Sequence, residues 1–254
     1  DETSLVKRIE ELVEEFNGYG YRRITAQLHR EGIRVNHKKV LRLMRERELL
    51  CKPKHRWVRT TDSDHPYRIY PNLLPDSPAT APNQVWIADL TYIRISMGFV
   101  YLAVILDLFS RKAIGYGLSR NIDTPLSLQA LNMALESRNP PPGVIHHSDQ
   151  GVQYAAHEYV DTLVFHGFQI SMARKGNPYD NAVAESFLKT LKTEEVYLWE
   201  YQTLADVEKR VPYFIEQVYN QKRLHSALHY RPPDEFERMF LTNNLQSPCL
   251  SALT

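Results

Sequence analysis

The 254-residue sequence predicts an α/β fold, a mixed five-stranded sheet with flanking helices, preceded by a small all-α unit. Three observations lead there. Up to residue 50 the apolar residues recur at helical spacing. From residue 84, three runs rich in β-branched and aromatic residues follow one another with only short turns between them. Residues 124–199 then alternate helical patterns with short apolar runs, as strand–helix units do. With 43% apolar residues the chain has the means to bury a sizeable core, which argues against global disorder.

In residues 4–16, Leu5, Ile9, Leu12, Val13 and Phe16 line one helix face, with Ser4 as the expected N-cap. Gly18 and Gly20 break that helix. Residues 21–32 read as a second helix ended by Gly32. Asn36 is placed to cap a third, over 37–50, with Val40, Leu41, Leu43 and Met44 on its apolar side. The same helix carries Lys38, Lys39, Arg42 and Arg45. Three short helices with tight turns suit a helix-turn-helix, the third entering a major groove while flanking bases hold phosphates. A small bundle with a charged exterior would have the same pattern. Charge distribution favours the first reading. Residues 22–59 hold 13 Lys/Arg against 3 Asp/Glu, and the remainder 18 against 27, so a net +1 conceals a basic block suited to a polyanion. This unit is assigned to residues 1–58.

Pro53, Pro66, Pro71, Pro75, Pro78 and Pro82 make the next stretch a poor helix and a poor central strand. Residues 59–82 are assigned as a linker with some fixed contacts, and Arg56 at its entry is a candidate nucleic-acid contact. Residues 85–95, 99–109 and 111–119 read as strands, the first two joined by a hairpin turn at 96–98. A helix over 124–138 opens on a Thr-Pro signal. A strand at 144–148, a helix at 157–167, a strand at 168–173 and a long helix at 181–199 follow. That order matches the ribonuclease H-like architecture, over residues 83–200. Residues 201–245 are a helical region in which Pro212 should kink the helix or restart it. The residues from 242 onward look loose, and 246–254 are assigned as a tail.

Three acids stand out by their settings: Asp89 on the first, central strand, Asp149 just past the fourth, and Glu185 on the helix after the fifth. Between them lie 59 and 35 residues. Three carboxylates without a Cys/His ligand set favour a hard cation, Mg²⁺ or Mn²⁺. A pair of such ions about 3.5–4 Å apart activates an attacking oxygen and stabilises a leaving one. Lys189 and Lys192 follow Glu185 by four and seven residues, on the same helical face. They read as contacts to a bound strand, or else as solvated helix surface. Arg174 and Lys175 precede the helix, and Gly176, Asn177 and Pro178 suit a tight loop beside it. Tyr154 and Tyr179 lie near these motifs and read as packing or DNA contacts, while His146, His147 and His225 are assigned positioning roles. Cys51 and Cys249 form neither a C-x-x-C pair nor a zinc spacing, which fits a reducing setting. No run of about 18 apolar residues suggests a membrane span.

HSDQGVQY, SMARKGNPYDNAVAESFLKTLKTE and YNQKRLHSALHYRPPDEFE resemble the catalytic segments of the IS3-family insertion-sequence transposases. VWIADLTYI resembles the segment holding that family's first acid. YGYRRITAQLHREG and NHKKVLRLMRERELL resemble the helix-turn-helix that precedes their integrase core. The resemblance runs from about residue 4 to 237 and keeps the 35-residue spacing typical of the DDE transposases and retroviral integrases. It implies metal-binding catalytic roles for Asp89, Asp149 and Glu185, and a DNA contact near the transferred end for Lys192. It implies Mg²⁺-dependent cleavage and strand transfer of double-stranded DNA, insertion-sequence ends to target, by a homo-oligomer assembled on DNA. It also implies a bacterial cytoplasmic protein held at the nucleoid by its DNA. Complete members usually start with another helix-turn-helix and a leucine zipper from an upstream reading frame. No heptad run is visible here, so the chain reads as the downstream product, with the upstream-frame product as a further partner. A ribonuclease H or resolvase-type nuclease would share the acids but not the helix-turn-helix or the two lysines. A non-catalytic DNA-binding descendant of a transposase would be free to lose the acids.

Overall fold

The computed structural model describes residues 2–50, 66–74, 79–174 and 181–245. Helices α1 (Glu2–Glu15), α2 (Tyr21–Arg30) and α3 (His37–Glu46) pack Ile9, Leu12, Ile24, Leu28, Val40 and Met44 into one apolar core. Asn36 caps α3 as expected, its side chain accepting the Lys38 N–H at 2.8 Å. Ser4 is not the N-cap, because α1 already begins at Glu2 and Ser4 lies within its first turn. α3 is shorter than its apolar pattern suggests. The chain leaves it after Glu46, and Glu48 takes a left-handed φ of 57°.

Strands β1 (Val85–Ile95), β2 (Gly98–Asp107), β3 (Ala113–Ser119), β4 (Ile145–Ser148) and β5 (Gln169–Met172) form one sheet in the order β3-β2-β1-β4-β5. β1, β2 and β3 pair antiparallel, whereas β4 and β5 join parallel, so the sheet is mixed with β1 at its centre. Gly98 turns the first hairpin at φ 100°, a conformation that side chains rarely adopt. Alternation along β1 divides the core. Val85, Ile87 and Ile93 face a layer formed with α7 (Ala182–Glu194) and α8 (Leu204–Tyr213). Trp86 and Ala88 face a layer formed with α4 (Thr124–Arg138), the short α5 (Val152–Ala155) and α6 (His157–Phe165).

Helix α4 opens on Asp123, whose carboxylate accepts the Leu126 N–H at 3.1 Å, with Pro125 in the first turn. It sits unusually close to β3 because β3 offers two glycines there. A Cβ on Gly115 would collide with the Ala130 carbonyl oxygen and stand 2.8 Å from the Ala134 nitrogen. Gly115→Ala must therefore push backbone apart, and overpacking of this kind costs about 1–3 kcal/mol. A lower urea midpoint at unchanged slope is the expected result.

The long helix expected over 181–199 stops at Glu194. Its next residue, Glu195, is buried and accepts bonds from the Tyr201 hydroxyl at 2.8 Å and the Arg210 Nε at 2.7 Å. Those partners lie 6 and 15 residues away and draw the chain out of the helix. Pro212 lies inside α8, which gives way to a π-helical stretch, Phe214–Asn220. That stretch turns Asn220 inward, where its side-chain amide bonds both backbone groups of Ala113 on β3, at 2.8 and 3.0 Å. A last helix, α9 (Pro233–Leu245), begins at the second of two prolines and takes in residues 242–245, which looked loose in sequence. Among the described residues no helix is long and apolar enough to cross a membrane.

Two segments tie the parts together. Leu224 inserts its side chain into the core of α1–α3. Its N–H donates to the Tyr19 hydroxyl at 2.7 Å, and its carbonyl accepts the Arg23 Nε at 3.1 Å. Residues 66–74 run beside β5, the Leu73 N–H donating to Ser171 Oγ at 2.8 Å, while Tyr67 and Tyr70 pack on the second apolar layer. The expected linker is thus fastened in this part; residues 51–65 and 75–78 lie outside the described residues.

Candidate active site

Register explains how two distant acids meet. β1 and β4 pair in parallel through Val85–Ile145, Trp86–His146 and Ile87–His147. Two residues beyond the last of these pairs come Asp89, still on β1, and Asp149, just past the end of β4. Asp89 has the parity of Val85 and Ile87, so it belongs to the sheet face covered by α7. α7 packs on β1 and carries Glu185 in its first turn.

Asp89 is half-buried, and its carboxyl is pushed up to about 8. Burial is the main cause, and the charges of Asp149 and Glu185 add to it. The Leu90 N–H, at 2.8 Å, and the side-chain amide of Asn181 oppose the shift by hydrogen bonding to Asp89. Asp149 accepts the Gly151 N–H at 2.9 Å. A Cβ on Gly151 would stand 2.9 Å from that same carboxylate oxygen, so the glycine of the DQG sequence keeps Asp149 in place. Glu185 is exposed. No three His, Cys, Asp or Glu side chains among the described residues stand close enough to hold one ion together.

The candidate bases divide into several settings. Lys192 is half-buried, its Nζ 4.4 Å from the centre of the Tyr92 ring, with its pKa lowered by burial and Asp89 opposing that shift. Lys189 and Arg174 are exposed. Arg56, Lys175 and Asn177 lie outside the described residues. On α3, Lys39 pairs with Glu2 at 3.0 Å, and Arg42 pairs with Glu2 at 3.1 Å and Glu46 at 2.9 Å. Lys38 and Arg45 are exposed and have no ion partner among the described residues. The helix therefore presents two uncommitted bases where its sequence shows four.

Asn181, buried at the start of α7, is the neighbour of Asp89 that reading the sequence missed. Its only signal there is its place, four residues before Glu185. Tyr154 is fully enclosed in the second apolar layer, so its role is packing; Tyr179 lies outside the described residues. His146 is equally enclosed, bonded to the Tyr159 hydroxyl at 2.9 Å and pushed down to about 3 by burial and by His147. It stays neutral and positions its neighbours. Other buried acids are already engaged. Asp107 accepts from Asn83 and Ser110, Glu194 is held by Arg223, and Glu195 by Arg210 and Tyr201.

The chain resembles known proteins in sequence and in fold. The profile of the integrase core domain matches residues 79–178, a second integrase core profile matches 166–233, and an HTH-like domain matches 1–57. The transposase for insertion sequence element IS904 of Lactococcus lactis subsp. lactis is 41% identical, over 92% of this chain and 93% of its own. Transposase InsF for insertion sequence IS3A of Escherichia coli K12 is 37% identical, over 86% and 76%. The cryo-EM structure of the simian T-cell lymphotropic virus intasome, in complex with PP2A regulatory subunit B56 gamma, contains a chain of the same fold. It matches with a TM-score of 0.52 at 16% identity, over 91% of this chain and 73% of that one. Sheet, helices and matched profiles together define an integrase-core enzyme with a ribonuclease H-like fold behind a helix-turn-helix-like unit. The chain belongs to the insertion-sequence transposases of the IS3 family.

Proposed function

We propose that this transposase cuts DNA at insertion-sequence ends and joins them to target DNA, with Asp89, Asp149 and Glu185 as the catalytic, metal-holding carboxylates. The observation that carries this reading is placement: Asp89 and Asp149 stand at matching positions beyond the paired residues of β1 and β4, and α7, packed on β1, carries Glu185 in its first turn. Three such oxygen donors with surplus negative charge fit a hard divalent cation, Mg²⁺ or Mn²⁺, and two ions rather than one. When bound, the ions supply neutralisation of the phosphodiester and activation of the attacking oxygen. The protein's own residues do the rest. Asn181 orients Asp89, and Gly151 lets its N–H hold Asp149. Lys189 and Lys192 hold phosphates beside Glu185, with Arg174, Lys175, Asn177 and Arg56 as further DNA contacts. No serine or tyrosine nucleophile is required, since water or a 3′-hydroxyl attacks in line.

In this reading residues 1–58 bind DNA, 59–82 connect, 83–200 catalyse, and 201–245 brace the two, ahead of a tail at 246–254. Two ends must be brought together, so the working form is a homo-oligomer on DNA, in the bacterial cytoplasm at the nucleoid, with the upstream-frame product as a further partner. A strand-transfer assay with labelled ends tests the reading: joined product with Mg²⁺ and none with EDTA. Cleavage without joining would favour a nuclease, and DNA binding without either a non-catalytic descendant.

The third helix makes a separate prediction. Lys38, Lys39, Arg42 and Arg45 are all assigned to DNA, but only Lys38 and Arg45 are uncommitted. Replacing those two by Ala should flatten the salt dependence of DNA binding by about 0.9 of slope for each lost phosphate contact. Replacing Lys39 and Arg42 should do less, because their bonds to Glu2 and Glu46 already offset their charge. If no variant changes the slope, the unit is a solvated bundle.

A further inference from the structure

A polar cleft of about 60 Å³ lies where α2, the β2–β3 turn, α7 and the segment after the π-helical stretch meet. Three guanidinium groups line it: Arg23 from the N-terminal unit, Arg111 from the turn, and Arg223 from the C-terminal segment. Charge there is not balanced. Arg223 pairs with Glu194, Arg23 spends its Nε on the Leu224 carbonyl, and Arg111 has no carboxylate partner among the described residues. Into the same cleft comes His225, 7% exposed, whose ring Nε2 has no hydrogen-bond partner among the described residues. A buried polar atom left unpaired is costly, and in native structures it marks a missing partner. Burial and the three arginines hold His225 down to about 2, so the ring stays neutral and offers one N–H rather than a charge. The mouth of the cleft is formed by exposed Ser186 and Ser226. The cleft has room for one tetrahedral anion, and its cationic, polar lining suits a phosphate.

We propose that this cleft is a phosphate site that takes one backbone phosphate of DNA crossing the start of α7, held by Arg111, Arg23 and the Nε2–H of His225. Position singles out DNA as the source. Ser186 and Glu185 are both exposed in the first turns of α7, about 100° apart around the helix, so a duplex laid across the start of α7 spans the acid on one side and the mouth of the cleft on the other. The site is composite, since the N-terminal unit, the sheet and the C-terminal segment each supply one of its cations. A phosphate seated there clamps the three parts together and couples DNA engagement to their alignment. The proposal rests on the chain's binding DNA, but not on the metal site.

Its test is therefore made in EDTA, with a fluorescent duplex titrated over a range of salt. Arg111→Gln removes one cation that has no ion partner, and Ser226→Glu places a negative charge at the mouth. Each should weaken binding about tenfold, the scale of a hydrogen bond to a charged group. Arg111→Gln should also lower the salt slope by about 0.9. In parallel, inorganic phosphate at constant ionic strength should raise the melting temperature of the unaltered protein saturably, and not that of Arg111→Gln. If both variants are folded and keep the full slope while Lys38→Ala loses slope, DNA binding through α3 stands and the cleft proposal falls. If phosphate stabilises the protein but neither variant affects DNA binding, the cleft takes free anions and its assignment to DNA is overturned.

Discussion

Glu185→Gln should lower DNA cleavage and joining at least about a thousandfold while leaving DNA binding intact or tighter. The substitution keeps the size of the side chain and removes its charge. A neutral amide is a much weaker ligand for a hard cation. Charge neutralisation in the transition state is worth several kcal/mol, and at 1.36 kcal/mol per tenfold a thousandfold loss is about 4 kcal/mol. Binding should not suffer, because Glu185 is exposed beside the expected path of phosphates and its removal relieves repulsion. Lys192→Ala should behave differently, weakening joining and end positioning while metal affinity stays nearly unchanged. Metal titration, gel-shift binding and strand transfer on both variants separate the two. Near-normal strand transfer by Glu185→Gln would remove it as the third ligand. The nearest alternatives in sequence, Glu194 and Glu195, are poor replacements, since each is already bonded to a buried or half-buried arginine.

The sheet was legible because its signals are local. β1 matches its β-branched, aromatic run residue for residue, and Gly98 marks the turn that closes the hairpin. The three acids were chosen for their distinctive local settings, and the β1–β4 register puts two of them, Asp89 and Asp149, at matching positions. What the sequence concealed depends on partners far along the chain. Nothing near Glu194 announces that its helix must stop, because the cause is Glu195 reaching Tyr201 and Arg210. The four bases of α3 look equivalent until Glu2, 37 and 40 residues away from Lys39 and Arg42, pairs with both. Leu224 looks like any apolar residue of a C-terminal helix, yet it completes the core of α1–α3. Local periodicity carries no information about such contacts, and they decide how the DNA-binding unit is held against the catalytic one.

That joint gives the other large effect. Glu194→Met alone should destabilise the protein by about 3–5 kcal/mol, and so should Arg223→Met, whereas the two together should cost far less than their sum. Glu194 and Arg223 form a two-pronged ion pair, both bonds 2.7 Å, with side chains only 8% and 4% exposed. The pair lies at the joint: Glu194 ends α7, its stem lies against Gly18 of the N-terminal unit, and Arg223 adjoins Leu224. Taking two charges out of water costs several kcal/mol each, so the pair as a whole contributes little net stability. Removing one partner is different, because it strands the other charge without water or counter-ion, and losses of about 3–5 kcal/mol follow. Stranding Arg223 also leaves it beside Arg23 and Arg111, which raises the repulsion further. Since the parts need not unfold together, the measurement is a double-mutant cycle in urea combined with amide exchange at Leu224, whose N–H is held by Tyr19. Faster exchange at Leu224 in each single variant, recovered in the double, would show that the pair holds the joint. Single-variant losses below about 1 kcal/mol would mean that the pair behaves like an exposed one, and that the DNA-binding unit is held by the Leu224 insertion alone.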